Sequence, residues 1–227
     1  MNLCWSLDKV GPICRTVEDC AIVLEAIRGS DGIDHAVIDA PFNYRSDLDL
    51  RKIRVGYRRG QLSSSIVNRL ASIVGQEQMV EVQLPANSLS LMLILKVESA
   101  ASFDELTRFG ADAYVSGVLQ NTFSAGRAVP AVEYLQANRV RKKLITSMAE
   151  LMTRIDVYVG TQAEVLEGAA AEISNLTGHP CVAIPHGGAT SLGFIGRPFA
   201  EATILALAKA YQDATGFHTN RPPTFVR

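Results

Sequence analysis

A chain of 227 residues in which 48% are hydrophobic can bury a sizeable core, which excludes a disordered polymer and favours one domain or two small ones. Its 22 Lys and Arg against 23 Asp and Glu leave a formal net charge of -1. No basic field therefore argues for nucleic acid, and no polybasic run argues for a membrane surface; small molecules and other proteins are the partners that remain.

The first element is encoded in "RTVEDCAIVLEAIRG". Thr16 is placed to cap a helix, Asp19 completes a capping-box pattern, and Val17, Ala21, Leu24 and Ile27 form one apolar face that Gly29 ends. The polar stretch that follows reads as a surface connection, and its Asp31, Asp34 and Asp39 lack calcium-loop spacing. "KIRVGY" alternates at Ile53, Val55 and Tyr57 as a strand does. "SSSIVNRLASIVG" carries Ser caps and a terminal Gly75, and "QMVEVQL" alternates at Val80, Val82 and Leu84. Strand, helix and strand with short connections predict a crossover between parallel strands.

The apolar run "SLSLMLILKVESAA", broken by Lys96 and Glu98, is too short to cross a bilayer and reads as a buried helix. "SFDELTRFG" pairs Ser102 with Glu105 as a second capping box, and a long helix beginning at Pro130 presents Val140, Leu144, Met148 and Leu151 to a core. "IDVYVG" is a strand, "GAAAEISNLTG" a helix closing at Gly178, "PCVAIP" and "SLGFIG" two strands, and "PFAEATILALAKAYQDATG" an amphipathic helix ending at Gly216. The pattern is α/β, with helices over a mixed sheet.

Few residues in these elements suggest chemistry of their own. "HGGATS" resembles a nucleophile loop but is followed by a strand, so Gly187 and Gly188 read as a turn. The serines at 63–65 read as caps, and Lys96, Lys142 and Lys143 as solvated helix lysines. His179 and His186 lack a third ligand at a recognised spacing, so no metal or other cofactor is expected. Cys4, Cys14, Cys20 and Cys181 contain no Cys-x-x-Cys pair and read as reduced, mostly buried thiols. The N-terminus lacks the pattern of a secretory signal, which gives a cytoplasmic expectation.

Five ordered blocks, "WSLDKVGPICRTVEDCAIVLEAIRGSDGID", "AVEYLQANRVR", "DVYVG", "NLTGHPCVAIP" and "GFIGRPFAEATILALAKAYQDATGFH", resemble the C-terminal half of the amidase signature family. That family includes serine amidases and the A subunit of the glutamyl-tRNA amidotransferase. The resemblance implies a single domain over residues 1–227 that is part of an α/β/α sandwich, a mixed sheet covered by helices on both faces. It also implies hydrolysis of a carboxylic amide C–N bond through a serine acyl-enzyme, with a bridging serine and a lysine base. Those catalytic motifs belong to the family's other half, upstream of the segment matched by Met1. No catalytic residue is therefore expected here, and the chain alone is expected to be inactive, acting on a small amide only when completed by a catalytic half.

Intact "NLTGHP" implies that Asn175 and His179 lie on the substrate side, beside the turn-forming roles of Asn175, Gly178 and Pro180. Gln162 in "GTQAE" and the short connection at 186–191 depart from the family pattern. A half fold leaves an open sheet edge and an apolar patch, which predict self-association or a complementary chain. A split amidase and a non-catalytic interaction module are the alternative readings.

Overall fold

The computed structural model describes residues 4–33, 37–85, 92–110, 117–161, 169–187 and 190–220. Asp34, Gln162, Gly188 and the start of the apolar run at 88–91 lie outside them. The described residues fall into two compact units: one from within Met1–Val10, Pro85–Met148 and Asn175–Gly178, the other from within Gly11–Leu84, Ala149–Ser174 and His179–Arg227.

The second unit holds a five-stranded mixed sheet of β1 (Val55–Tyr57), β2 (Met79–Glu81), β3 (Val157–Thr161), β4 (Cys181–Pro185) and β5 (Ser191–Gly196), in the order β2-β1-β3-β5-β4. β1 runs parallel to both β2 and β3, whereas β5 is antiparallel to β3 and β4. Helix α2 (Ser64–Val74) links β1 to β2, as parallel neighbours require. Its N-cap Ser63 accepts from the Ile66 N–H, and Gly75 ends it at φ +102°, a backbone conformation open to glycine.

The period of two in the strand sequences becomes a packed face. Val55 stands opposite Val157, Val159 opposite Phe194, and Ile184 opposite Leu192. These residues share one buried cluster with Val17 and Ala21 of α1 (Val17–Ile27), Ile66 and Leu70 of α2, and Ile204, Leu205 and Leu207 of α8 (Glu201–Thr215). Each fully buried side chain of this size stabilises by roughly 1.5–3 kcal/mol relative to exposure. Tyr158 and Ile195, which point to the opposite face, are also buried. The architecture is the α/β class with a mixed sheet that the sequence predicts.

In α1 the capping box forms as expected: Thr16 accepts from the Asp19 N–H while the Asp19 carboxylate accepts at Thr16. The buried N–H of Val17, which no helical carbonyl can satisfy, donates to Gln212 Oε1 of α8 at 3.1 Å. Ile27 corrects the expected apolar face. It is 52% exposed, because the core cluster reaches only as far as Leu24 and the last turn of α1 runs beyond it. β4 and β5 form a hairpin in which Gly187 takes φ +69°, the His186 N–H donates to Thr190 O and the Thr190 N–H donates to Gly187 O. That is the turn expected for Gly187.

The first unit contains α3 (Met92–Ser102), α4 (Asp104–Arg108), α5 (Gly117–Arg127) and residues up to Met148 of α6 (Ala131–Arg154). Two expectations are corrected here. Ser102 does not start a helix: α3 continues through it, and α4 begins from Phe103 without a side-chain cap. Val140 is exposed, because Arg141 takes the inward position between buried Ala137 and Leu144 and spends its guanidinium on the Leu176 and Ser6 carbonyls and the Ser6 hydroxyl. α7 (Ala169–Thr177) follows β3 in the chain.

Close approach of α3 and α5 depends on Gly126, where an added methyl would overlap the Lys96 carbonyl oxygen and come within 2.7 Å of Ala100 Cβ. Gly126→Ala should cost about 1–3 kcal/mol through overpacking, even though Ala is the better helix former. Urea unfolding of the two proteins measures this, and an unchanged midpoint would show that the helices separate without penalty.

Candidate functional site

The turn from α7 into β4 carries both substrate-side candidates. Gly178 adopts φ +76° and reverses the chain after α7, and the His179 N–H donates to the Ser174 carbonyl at 3.0 Å. The Pro180 carbonyl then accepts from the Gly196 N–H at 3.1 Å, seating the turn on the end of β5. Asn175 is exposed in the last turn of α7, whereas His179 is only 3% exposed. Asn175 belongs to the first compact unit and His179 to the second.

The polar centres with the most elaborate geometry lie elsewhere, and reasoning from sequence did not single them out. In the first unit, Glu98 of α3 is 1% exposed and accepts from Cys4 Sγ at 3.0 Å, the Ser6 N–H at 3.0 Å, Ser6 Oγ at 2.7 Å and Tyr134 Oη at 3.0 Å. Burial alone would raise this carboxyl, but the donors from Cys4, Ser6 and Tyr134 outweigh it and hold the group below the ordinary carboxylate range. Burial and the same contact push the Cys4 thiol up to about 12. A charged residue inside an apolar helical run was the available signal for this centre.

In the second unit, Asp156 precedes β3 and accepts from the Arg54 backbone N–H at 2.9 Å and from Arg54 Nε and Nη2, both at 3.1 Å. Arg197, just past β5, donates to the same carboxylate at 2.6 Å and to the Ile155 carbonyl at 3.2 Å. Burial opposes the charge, but the Arg54 hydrogen bonds and both guanidinium charges prevail and lower the Asp156 carboxyl. This clamp joins the start of β1, the start of β3 and the end of β5.

Both carboxylates are occupied by donors at every oxygen. Neither is disposed to take a proton from a substrate, so their chemistry is that of structural anions. A third pair lies at the hairpin: Tyr211 Oη and His186 Nδ1 are 3.0 Å apart, and Phe217 packs edge-on against the imidazole. Burial favours neutral His186 and pushes Tyr211 up to about 12.

Other sequence candidates are accounted for individually. Ser63 caps α2 and lies 2.8 Å from Ser65 Oγ, and Lys96, Lys142 and Lys143 are exposed on α3 and α6. Among the described residues no group of three or more His, Cys, Asp or Glu is placed to hold a metal ion, and no helix is long and apolar enough to cross a membrane.

No family model matches the chain. An amidase from Pseudomonas putida is 28% identical over 262 residues, covering 97% of this chain and 56% of the relative. The glutamyl-tRNA(Gln) amidotransferase A subunit from Moorella thermoacetica is 27% identical over 275 residues, covering 96% of this chain and 56% of the relative. A solved bacterial aryl acylamidase of the amidase signature enzymes superposes with a TM-score of 0.69 at 18% identity, covering 93% of this chain and 55% of that one. Along nearly its whole length the chain is similar to amidases and glutamyl-tRNA(Gln) amidotransferase A subunits, and it shares the fold of the amidase signature enzymes. The chain spans about half the length of the curated relatives it matches.

Proposed function

We propose that this chain is the substrate-side part of an amide hydrolase, corresponding to the C-terminal half of the amidase signature fold, and that it carries no nucleophile of its own. On this reading a carboxylic amide C–N bond is hydrolysed through a serine acyl-enzyme only when a catalytic lysine and serines are supplied from outside these 227 residues. One observation carries the reading: a relative named as an amidase matches along 97% of this chain, yet the chain accounts for 56% of that relative. The full engagement of Glu98 and Asp156 by structural donors supports it, since neither is available as a general base.

Within this proposal Asn175 and His179 are the substrate-side residues to examine, Asn175 through its exposed carboxamide and His179 from a buried position. A distinct feature favours completion by a complementary chain over an isolated module. The outer surface of α1 and its flanks exposes Ile13, Ile22, Val23, Ile27, Ile33 and Ile38, more apolar side chain than a solvated helix needs.

The test is to assay the purified chain for ammonia or amine release from a panel of aliphatic and aromatic amides, and for covalent labelling by a fluorophosphonate. Neither signal is expected from the chain alone. Both are expected after adding a polypeptide that carries the family's lysine and serines. In that complex Asn175→Ala and His179→Ala should raise KM. Turnover together with serine labelling in the chain alone would overturn the proposal, and a stable complex without turnover would favour the interaction-module reading.

A further inference from the structure

The sequence "HGGATS" opens on a histidine to which no role has been given, and the sheet topology puts that residue where a ligand can reach it. β1 is parallel to β2 and β3, and because β5 is antiparallel to both β3 and β4, β4 points the same way as β3. Four strands therefore finish at one end of the sheet, the end at which open α/β sheets take ligands. His186 is the first residue beyond β4 at that end, whereas His179 precedes β4 at the other.

The His186 ring is held in one orientation. Its Nδ1 lies 3.0 Å from Tyr211 Oη of α8, Phe217 packs edge-on at a centroid distance of 5.1 Å, and the His186 backbone exchanges hydrogen bonds with Thr190 across the hairpin. Tyr211 is fixed in turn: it is 1% exposed and meets Phe194 of β5 edge-to-face, with ring centroids 6.2 Å apart. A buried phenol needs an acceptor for its proton, and among the described residues His186 Nδ1 is the one acceptor within reach of Tyr211 Oη. Tyr211 therefore donates, and the neutral imidazole carries its own proton on Nε2; the other tautomer would strand the phenol proton. Burial favours the neutral ring as well. Nε2 is not sealed off: His186 is half-buried, and among the described residues no group hydrogen-bonds to that nitrogen.

We propose that Tyr211 fixes His186 as the Nε2–H tautomer, and that this N–H donates to the carbonyl oxygen of an uncharged amide ligand at the carboxyl ends of the strands. The choice of an amide rests on the amide-hydrolase reading; the tautomer does not. A neutral N–H beside the apolar Phe217 ring suits a dipolar carbonyl, since it gives direction without the positive charge that would select a carboxylate. Tyr211 is a positioning residue that acts through the imidazole, and His186 is the residue that meets the ligand.

Proton–nitrogen correlation spectra of the full chain, isotope-labelled at the histidine nitrogens and held in mildly alkaline buffer, read the tautomer directly, and His186→Gln identifies the His186 signals by their loss. The expected pattern is a protonated Nε2 and an unprotonated Nδ1. Tyr211→Phe should turn it into a mixture of the two tautomers while the other histidines keep their signals. Benzamide added at rising concentration should move the His186 Nε2 signal of the parent. Followed at the backbone amides of Thr190 and Ser191, its binding should weaken roughly 2–10-fold in His186→Phe, the loss of one hydrogen bond. A protonated Nδ1 or an even mixture in the parent would overturn the tautomer, an unaltered pattern in Tyr211→Phe would overturn the role of Tyr211, and a His186 signal indifferent to benzamide would overturn the ligand contact. Failure of the hydrolase reading shows separately, as absent turnover in the completed enzyme while the tautomer spectra keep their expected form.

Discussion

Replacing Glu98 with Ala should cost about 3–5 kcal/mol, the largest effect expected of any single substitution in this chain. Truncation removes one buried carboxylate but strands four donors, from Cys4, two groups of Ser6 and Tyr134. Arg141 suffers as well, since its guanidinium is oriented partly by the Ser6 hydroxyl that Glu98 holds. Against a typical total stability of about 5–15 kcal/mol, such a loss is a large fraction of what keeps a protein folded. Urea unfolding followed by circular dichroism should show a much lower midpoint for Glu98→Ala, and Tyr134→Phe should lose only about 1 kcal/mol. If Glu98→Ala unfolded within about 1 kcal/mol of the parent, the carboxylate would be incidental to the fold.

The direction of pH dependence follows from the same contacts. The folded carboxyl of Glu98 titrates below its unfolded counterpart, so its stabilising contribution is complete above the unfolded value of about 4.3 and is lost as pH falls through the lower folded value. Stability should therefore be flat with respect to this group near neutrality and decline in acid. Glu98→Gln should remove this group's share of the acid slope.

The second large effect is expected at Asp156. Asp156→Ala should cost about 2–3 kcal/mol, less than Glu98→Ala because the guanidiniums of Arg54 and Arg197 retain access to water. What is lost is the fixed relation among three strands. The Arg54 backbone N–H and guanidinium, the Asp156 carboxylate and the Arg197 guanidinium secure the ends of β1, β3 and β5. Amide hydrogen exchange should rise at Val55, Val157 and Ile195 in the variant, and Asp156→Asn should recover part of the protection. Unchanged exchange in Asp156→Ala would assign strand registration to the apolar face alone. The Asp156 carboxyl is also depressed in the folded chain, so its contribution likewise disappears in acid, below an unfolded value of about 3.9.

What was legible in the sequence was what local rules determine. Thr16 with Asp19, Ser63, Gly75 and Gly216 marked helix ends because capping and positive φ are decided within a few residues. Alternation at Ile53, Val55 and Tyr57 marked a strand for the same reason. What failed was set by distant neighbours. Ser102 has the chemistry of a cap, yet α3 runs on through it, and Val140 has the chemistry of a core residue, yet Arg141 beside it had carbonyls to reach. Glu98 was visible only as an interruption of an apolar run, because the donors that explain it come from residues 4, 6 and 134. Asn175 and His179 were singled out by the resemblance of "NLTGHP" to the family pattern; the structure gives their exposure and their turn, while their role rests with the substrate experiment.

The hydrogen bond from Val17 to Gln212 also has a consequence in time. It connects residues 195 positions apart, so the first helix cannot satisfy its leading buried donor until the last helix has been made. At a synthesis rate of ~5–20 residues per second this leaves α1 waiting ~10–40 s beside a growing chain. β1 waits in the same way for β3, its parallel neighbour from the later part of the sequence. Until α8 is made, nascent α1 has neither the acceptor for its leading buried donor nor the apolar partners of α8 against which Val17 and Ala21 pack.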